Sequence, residues 1–295
     1  MNIIVTGGLG FIGSAFVRYA SNQGAHCIVI DNMTYAADKN RLKGYNYDLV
    51  VKDICDDVAW ACQGAHYIVN FAAESHVDNS IKDGKPFLKS NVEGTFNMLE
   101  IARKIPTLKR FVQISTDEVY GDVSGNKPSH EFDRLEPSSY YSATKAAAEM
   151  LVMAAGRTYG LPHIITRTCN NFGVDQHKEK FLPTIFNSIK NDIPIPIYGD
   201  GEQVREWMWV EDNVRIIYEM MQNNSLLNTG PLNIGSGDRW TNKEIVQKIG
   251  ELLGKKVKYK FVEDRLGHDR KYALKTSLLD IGKLKTLEEY LKEQI

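Results

Sequence analysis

The sequence predicts an α/β fold in which a doubly wound, parallel sheet is followed by a smaller C-terminal domain of mixed α/β structure. Three observations indicate this architecture. Short β-branched runs alternate with helical patterns through the first half of the 295-residue chain. A glycine-rich loop joins the first of these runs to the first helical pattern. Beyond about residue 168, the chain turns to loops and short helices that are rich in polar and aromatic groups.

The composition is that of an ordinary globular protein, and it argues against several classes of function. Apolar residues make up 43% of the chain and charged residues 25%, and the formal net charge is −1. This balance gives no reason to expect a nucleic-acid or membrane-surface partner. The first apolar run is too short for a signal peptide, and no run reaches membrane-spanning length.

The four cysteines are scattered along the chain. No two of them form a Cys-x-x-Cys pair, and no His-x-x-x-His pattern lies near them. The spacing argues against a zinc site and against a disulfide framework, and we predict no metal centre. This usage suits a reducing, cytoplasmic location. The cysteines are Cys27, Cys55, Cys62 and Cys169.

The first strand leads into a loop with the features of a dinucleotide site. Residues 2–6 (NIIVT) form a β-branched run, and Gly7, Gly10 and Gly13 follow before an amphipathic helical pattern. Such glycines allow a tight turn, close approach of the backbone to phosphate, and close packing of helix on strand. A pyrophosphate would lie at the helix N-terminus, where free N–H groups and the helix dipole favour an anion. The loop therefore predicts a Rossmann-type sheet that binds a dinucleotide.

The second strand ends in an acidic residue at the position expected for a ribose contact. Residues 27–30 form an apolar run, and Asp31 lies 18 residues beyond Gly13. A carboxylate at about this offset accepts hydrogen bonds from the adenosine ribose, and it would repel a 2′-phosphate. We therefore predict NAD as the cofactor; the alternative is an acid that only caps a helix or a turn.

Further strands and helices extend the pattern in chain order. Runs at 48–52, 66–71, 111–114 and 164–166 predict strands, and residues 91–104 predict an amphipathic helix. We expect an NAD-binding Rossmann domain over 1–168 and a second, smaller domain over 169–295. A helix with an acidic first turn, within 206–222, is expected to return to the first domain.

Two adjacent carboxyl groups follow the strand at 111–114. Asp117 and Glu118 lie in the segment 115–121 (STDEVYG), where the strand gives way to a loop. In an open parallel sheet, ligands bind beyond the carboxyl ends of the strands. Adjacent acids there can serve as acid and base if their surroundings separate their pKa values. The alternative is a turn that carries acids only for solubility.

A tyrosine and a lysine share one face of a later helix. Ser139 is positioned to cap an alanine-rich run, and Tyr141 and Lys145 are four residues apart within it. An ammonium beside a phenol favours the phenolate, which would make Tyr141 a base for a hydroxyl proton during hydride transfer. Tyr140 is the competing tyrosine, but its spacing to Lys145 is wrong.

Together these motifs resemble the extended short-chain dehydrogenase/reductases and, among them, the dTDP-glucose 4,6-dehydratases. The glycine loop and Tyr141-x-x-x-Lys145 resemble the wider family, and 72–78 (AAESHVD) with 115–121 resemble the dehydratases. The resemblance runs from residue 2 to about 275. Further matching segments are 170–173 (NNFG), 179–183 (EKFLP), 196–199 (PIYG), 205–207 (REW), 210–212 (VED), 233–235 (NIG) and 264–270 (DRLGHDR).

The chain also departs from that family at several places. Asn79 stands where the family usually has arginine, Tyr140 where it often has proline, and Leu266 where it has proline. The segment 39–47 is trimmed, and the tail from Ser277 is short. None of these departures removes a catalytic residue.

The resemblance implies a three-stage reaction on a nucleoside-diphosphate glucose, ending in a 4-keto-6-deoxy sugar. Tyr141, supported by Lys145, removes the 4-hydroxyl proton while hydride passes from C4 to NAD. Glu118 removes the C5 proton, Asp117 protonates the departing C6 hydroxyl, the hydride returns to C6, and C5 is reprotonated. The resemblance also implies that 169–295 is the sugar-nucleotide-binding domain. Thr116 orients the C4 oxygen.

The remaining site residues follow from the motifs and the resemblance. Cofactor-binding residues are expected to be Gly7, Gly10, Phe11, Ile12, Gly13, Asp31, Asn32, Thr34, Asp53, Ile54, Phe71, Ala72, Ala73, Ser75, Ser90, Tyr141, Lys145 and Phe172. Substrate-binding residues are expected to be Ser75, Thr116, Asn171, Glu179, Lys180, Phe181, Leu182, Pro196, Tyr198, Arg205, Asn233, Arg265 and His268.

Several alternatives stay open from the sequence. dTDP and UDP are not distinguished as the carrier, and a UDP-sugar 4,6-dehydratase, 4-epimerase or decarboxylase of the same superfamily is the nearest rival. A non-catalytic dinucleotide sensor could keep Gly7 to Gly13 but would not need Tyr141 and Lys145. The family also suggests a homodimer built from helices near 92–104 and 142–157.

Overall fold

A seven-stranded parallel sheet forms the centre of the protein. The computed structural model describes residues 1–123, 125 and 127–295. The sheet order is β3-β2-β1-β4-β5-β6-β10, so the chain winds outward in both directions from β1, as the sequence predicts. The strands are β1 Asn2–Thr6, β2 His26–Asp31, β3 Tyr47–Val51, β4 Tyr67–Asn70, β5 Arg110–Thr116, β6 His163–Thr168, β7 Asn170–Phe172, β8 Ile195–Tyr198, β9 Val204–Trp209, β10 Pro231–Ile234, β11 Arg239–Thr241 and β12 Tyr259–Val262.

Helices cover both faces of this sheet. A sheet that is buried on both faces carries apolar side chains on both. Here they belong to two buried apolar clusters, one on each face, which hold the helices in place. The helices are α1 Phe11–Asn22, α2 Val77–Lys82, α3 Lys85–Phe87, α4 Gly94–Ala102, α5 Tyr140–Tyr159, α6 Phe181–Lys190, α7 Val210–Gln222, α8 Asn242–Leu252 and α9 Leu287–Gln294.

The helix expected over 91–104 is longer at its start than its apolar pattern suggests. A π-helical turn, Leu88–Glu93, joins α3 to α4, so the helical path begins at Lys85. Asn91 lies in this turn and is buried, with its side-chain amide donating to the backbone oxygen of Glu74 (3.1 Å) and to Thr144 Oγ1 (3.0 Å). The turn thereby connects the end of β4 to α5.

The second half of the chain adds two small sheets. One has the order β11-β9-β7, and the other pairs β12 with β8. A third apolar cluster packs them against α6, α8 and α9. Helix α7 packs on α1, as expected of a returning helix, and β10 also returns to pair with β6 in the large sheet.

No helix in the described ranges is both long and apolar enough to cross a bilayer. In the same part of the chain, no cluster of three or more histidine, cysteine or acidic side chains has the arrangement of a metal site. All four cysteines carry free thiols, and Cys27, Cys62 and Cys169 are buried.

Candidate active site

A single cavity of about 410 Å³ opens at the carboxyl ends of the parallel strands. Residues that follow β1, β2, β4, β5 and β6 all line it. The parallel arrangement places these strand ends at one edge of the sheet, which is where open α/β folds bind ligands. The two halves of the cavity differ in chemistry, one being glycine-rich and the other carrying ionisable groups.

The glycine loop forms the first half as the sequence predicts. Gly7 has a φ of +65°, and a Cβ there would lie 2.7 Å from the backbone nitrogen of Ala72. A Cβ on Gly13 would lie 2.3 Å from the carbonyl oxygen of Gly7. Gly10 is the N-cap of α1 and has no side chain to satisfy the first N–H groups. The loop therefore leaves free backbone donors beside open space, which suits a pyrophosphate.

Asp31 lies at the end of β2 on the same side of the cavity. Its carboxylate accepts hydrogen bonds from the backbone N–H groups of Leu9 (3.0 Å) and Met33 (2.8 Å). These bonds fix the carboxylate and tie the glycine loop to the end of β2. The residues present therefore fit a dinucleotide, with a carboxylate where a ribose would lie.

The structure places nearly all of the expected cofactor residues around this cavity. Phe172 is the exception, because it is fully buried and packs on Tyr290 with ring centroids 5.1 Å apart. The expected residues that do line the cavity are Gly7, Gly10, Phe11, Ile12, Gly13, Asp31, Asn32, Thr34, Asp53, Ile54, Phe71, Ala72, Ala73, Ser75, Ser90, Tyr141 and Lys145.

The carboxyl pair lies in the second half of the cavity. Thr116 ends β5, and Asp117 and Glu118 begin a 3₁₀ turn whose first bond runs from the N–H of Glu118 to Thr116 Oγ1 (3.3 Å). Thr116 also donates to Asp117 Oδ1 (3.2 Å), while Asp117 Oδ2 is buried without a partner in the described part of the chain. An unpaired buried carboxyl oxygen is suited to carrying a proton.

Different surroundings separate the two acids. Burial raises the pKa of Asp117 well above its ordinary range, and the neighbouring charge of Glu118 raises it further. Burial also raises the pKa of Glu118, but Arg265, Arg205 and Lys180 oppose this effect. Asp117 is therefore the group that keeps its proton, and Glu118 the group that the cations help to ionise.

Tyr141 and Lys145 reach the same cavity from α5, as their spacing predicts. Their electrostatics differ from the expectation. The Lys145 ammonium donates to the carbonyl oxygen of Ile114 (2.5 Å), and burial lowers its pKa to about 8. Burial raises the pKa of the Tyr141 phenol, as does the charge of Glu118, whereas a hydrogen bond with Thr116 lowers it. The side chains around the phenol thus favour its protonated form.

The expected substrate residues fall into three groups. Ser75, Thr116, Asn171, Glu179 and Lys180 line the cavity. Leu182 and Asn233 do not reach it and lie in the core. Asn233 has no free amide group, because it donates to the carbonyl oxygens of Ser129 and Lys275 and accepts from the Tyr120 hydroxyl.

The remaining substrate residues lie outside the cavity lining. Lys180 connects the two regions, since it lines the cavity and its charge acts on Glu118. Arg265 pairs with Asp78 (3.3 Å), and the Tyr198 hydroxyl donates to the same carboxylate (3.3 Å). The residues in this third group are Phe181, Pro196, Tyr198, Arg205, Arg265 and His268.

Sequence reasoning missed several residues that line the cavity. Tyr35 lies beyond β2, and its ring packs edge-on against His177, with centroids 5.6 Å apart. Gln176 lies beside His177 in the loop after β7. No local pattern marks these positions, because two loops distant in sequence meet only in the folded chain. The cavity-lining residues missed in this way include Tyr35, Lys52, Glu74, Lys89, Cys169, Gln176 and His177.

Comparison with known proteins identifies close relatives along most of the chain. The low-salt glycan biosynthesis protein Agl12 of Haloferax volcanii is 45% identical over 93% of this chain and 90% of its own. A dTDP-glucose 4,6-dehydratase of Haemophilus influenzae is 41% identical over 94% of this chain and 90% of its own.

Solved structures of similar shape include a dehydratase and an epimerase. DesIV of Streptomyces venezuelae, a dTDP-glucose 4,6-dehydratase solved with NAD, is 38% identical over 94% of this chain and 88% of its own, with a TM-score of 0.87. The UDP-glucuronic acid 4-epimerase of Bacillus cereus, solved with UDP-glucuronic acid and NAD, is 25% identical over 99% of this chain and 97% of its own, with a TM-score of 0.93.

Residues 3–235 match the family described as the NAD dependent epimerase/dehydratase family. This range contains the glycine loop, the carboxyl pair and the Tyr141–Lys145 pair. The chain belongs to the NAD dependent epimerase/dehydratase family.

Proposed function

We propose that this protein is an NAD-dependent hydro-lyase that converts dTDP-glucose to its 4-keto-6-deoxy product. The observation that carries the proposal is the pair Asp117–Glu118, of which Asp117 is buried, and which shares one cavity with Tyr141 and Lys145. A simple oxidation needs only the tyrosine and the lysine. Elimination of water also needs an acid and a base, and the surroundings of the two carboxyl groups separate their proton affinities in that sense.

Each of these side chains is proposed to act at a particular atom of the sugar. Bound NAD supplies the hydride acceptor for the sugar's C4 and the hydride donor for its C6. The Tyr141 oxygen would take the proton of the 4-hydroxyl once Lys145 and the positive charge of an oxidised nicotinamide ring outweigh the side chains that favour the protonated phenol, and Thr116 Oγ1 would orient the C4 oxygen. Glu118 removes the C5 proton, and protonated Asp117 donates to the departing C6 hydroxyl. When the hydride returns to C6, C5 is reprotonated, which gives the 4-keto-6-deoxy sugar.

The nucleoside diphosphate is proposed to lie beyond Glu118. Lys180, Arg205 and Arg265 all act on the charge of that carboxylate, so they form one positively charged region. Arginine's planar fork suits phosphate oxygens. The relatives named as dTDP-glucose 4,6-dehydratases support dTDP as the carrier, and UDP is the alternative.

Mass analysis of the product tests this function. The NAD-loaded enzyme is incubated with dTDP-glucose and, separately, with UDP-glucose, and we expect loss of one water from the preferred sugar nucleotide. The double variant Asp117→Asn/Glu118→Gln should still oxidise C4, which is visible as absorbance of reduced cofactor, but should form little dehydrated product. Dehydration at the normal rate by this variant would remove both residues from the mechanism.

A 4-epimerase is the second candidate, because the overall fold resembles the Bacillus cereus 4-epimerase with a TM-score of 0.93. Epimerisation changes neither the mass nor the keto content of the product. It also has no use for a protonated carboxyl beside Thr116. The same incubation therefore separates the two candidates, since an epimerase would return a sugar nucleotide of unchanged mass.

We further propose that the protein is a homodimer. Exposed apolar side chains form a strip on the outer face of α4 and α5, whose matching ends are joined by the Asn91–Thr144 hydrogen bond and by Arg103 over the Tyr159 ring (4.9 Å). These two contacts place Phe96 level with Met150, and the two side chains are 52% and 45% exposed. A second copy would cover such a strip. Phe96, Tyr140 and Met150 make up the strip, together with Leu88 of the π-helical turn before α4.

The domain division and the cellular location also belong to the proposal. A cofactor domain over 1–168, completed by α7 and β10, and a substrate domain over 169–295 agree with the separate apolar cores. The four free thiols support a reducing, cytoplasmic environment.

A further inference from the structure

Arg205 is a buried cation without a carboxylate partner. Its residue is 6% exposed, and its guanidinium donates to the carbonyl oxygens of Val204 (2.8 Å) and Asp269 (2.9 Å). Within the described ranges, no carboxylate oxygen lies within salt-bridge distance of it. Buried charges are normally paired, so a cation held only by neutral groups indicates a place for an anion.

Tyr272 lies against this guanidinium. The Arg205 guanidinium carbon is 4.3 Å from the centroid of the Tyr272 ring, which is the geometry of a cation–π contact. Tyr272 is itself buried, and burial raises the pKa of its hydroxyl, as does the charge of Glu118. The phenol is therefore a neutral, uncharged support for the cation.

Asp269 in turn fixes the tyrosine. Its Oδ2 accepts a hydrogen bond from the Tyr272 hydroxyl (2.5 Å), and its Oδ1 accepts one from the Ser138 hydroxyl (2.5 Å). The carbonyl oxygen of the same aspartate accepts from Arg205. Ser138 directly precedes the N-cap of α5, so the support of Arg205 is connected to the helix that carries Tyr141.

We propose that Tyr272, braced by Asp269, is a positioning residue that presents the Arg205 guanidinium to the diphosphate of the substrate. The proposal rests on the proposed function only in taking the ligand to be a nucleoside diphosphate. Asp269 would draw the guanidinium towards itself if its carboxylate were free, but both carboxylate oxygens already accept from hydroxyl groups. The stacked ring leaves the remaining N–H donors of Arg205 for phosphate oxygens.

Binding of dTDP to the NAD-loaded enzyme, measured by calorimetry, tests the proposal separately from turnover. Arg205→Met and Tyr272→Leu should each weaken dTDP binding by about tenfold or more. Arg205→Met removes the cation that contacts the diphosphate, and Tyr272→Leu removes the ring that holds this cation in place. In the Arg205→Met background, Tyr272→Leu should have no further effect. Tyr272→Phe keeps the ring and should stay within about threefold of the unchanged enzyme. UDP is titrated in parallel, so that the result does not depend on the base.

Kinetics give a second readout. If Tyr272 positions a binding group, Tyr272→Leu should raise KM for the sugar nucleotide far more than it lowers kcat. Tyr290→Leu is the matched control, because Tyr290 is also a buried tyrosine near a cation, with Lys285 5.8 Å from its ring, but lies away from Arg205. Its effect on stability should resemble that of Tyr272→Leu, with unchanged dTDP binding.

Two outcomes overturn the proposal. One is dTDP binding by Tyr272→Leu equal to that of the unchanged enzyme, and the other is an equal loss in the Arg205→Met background. If Tyr272→Leu does not fold, Arg205→Lys replaces it, since lysine keeps the charge but not the planar stack. Unchanged dTDP affinity in Arg205→Lys would then overturn the proposal. A different reaction product with intact dTDP binding would contradict the proposed function alone.

Discussion

Lys145 shows how a single residue is adapted to the site at the expense of stability. Its ammonium is buried and donates to the carbonyl oxygen of Ile114, and Glu149, one turn further along α5, is the charge that most favours its protonated form. The other ionisable groups near Lys145 are Tyr141, Asp117, Glu118 and Arg167. Burial nevertheless lowers the pKa of Lys145 from 10.5 to about 8. The folded protein holds this proton less tightly than the unfolded chain does. The charged lysine therefore destabilises the fold at every pH at which it is protonated.

We predict that Lys145→Met increases stability at pH 7 by about 2 kcal/mol, since relief of the buried charge exceeds the lost hydrogen bond. The gain in stability is full below pH 8, where Lys145 is protonated in both the folded and the unfolded form of the unchanged protein. It declines between pH 8 and 10.5, where the folded state releases the proton first. Urea unfolding at pH 7 and pH 9.5 measures the difference. An equal gain at both pH values would contradict the prediction, and Lys260→Met, at an exposed lysine, should change little at either.

Helix α5 places Tyr141, the proposed catalytic tyrosine, through its first turn. Ser139 and Ser142 form a capping box, in which each side chain bonds the backbone N–H of the other. Tyr141 lies between them, so the cap fixes the backbone that carries the phenol. The same kind of box begins α9, where Thr286 and Glu289 cap a helix remote from the cavity.

Removal of the cap should therefore affect both stability and turnover. We predict that Ser139→Ala lowers the free energy of unfolding by about 1 kcal/mol and also lowers kcat. Thr286→Ala is the matched control and should lose similar stability with kcat unchanged. Denaturant titration and initial rates measure the two effects, and equal kcat values for the two variants would show that the cap serves stability alone.

A buried ion pair joins α5 to β6. Glu149 accepts two bonds from Arg167 Nε (3.1 Å each) and one from its Nη2 (2.6 Å), and a further bond from the Ser115 hydroxyl (2.5 Å). Arg167 also donates to the Tyr120 hydroxyl (2.8 Å). This network connects the helix with the strand end that carries the carboxyl pair.

We predict that Arg167→Met costs about 3–5 kcal/mol, because it leaves the Glu149 carboxylate buried and unpaired. The double variant Glu149→Leu/Arg167→Met should recover about half of that loss, since no buried charge remains. Chemical unfolding of the two variants measures this. A double variant less stable than Arg167→Met would show that the pair itself, and not the unpaired charge, supplies the stability.

Local sequence signals predict these elements unequally. Strands β1 to β6 follow from apolar runs, because a strand buried on both faces is apolar throughout. Strand β10 was not predicted, since its pairing with β6 brings together residues more than sixty positions apart. For the same reason, local patterns do not show that the Asn233 amide donates to the backbone carbonyl groups of Ser129 and Lys275 and is not free for the substrate. They also do not show that Tyr35 and His177 meet at the cavity.

At the scale of the whole molecule, the exposed strip on α4 and α5 is the feature that the monomer does not explain. Phe96 and Met150 are both exposed, on two helices that pack against each other. Phe261 on β12 has a similar exposure, 53%, but lies on the edge of a small sheet in the other half of the chain.

We predict that Phe96→Glu/Met150→Glu converts the proposed dimer to a monomer, because burying two carboxylates in an apolar interface is unfavourable. Analytical ultracentrifugation measures the mass. Phe261→Glu is the matched control and should leave the mass unchanged. A dimer that persists in the double variant would place the interface elsewhere.

The cavity has a further consequence for the order of events. In the proposed function, the dinucleotide lies against the glycine loop and the reacting sugar lies beside the ionisable groups of the same cavity, so each ligand forms part of the wall for the other. The sugar nucleotide would extend from there towards Arg205 and Arg265, and while bound it would cover part of the dinucleotide. A dinucleotide covered in this way through each turnover stays bound to the enzyme, and its concentration in solution then does not limit the rate.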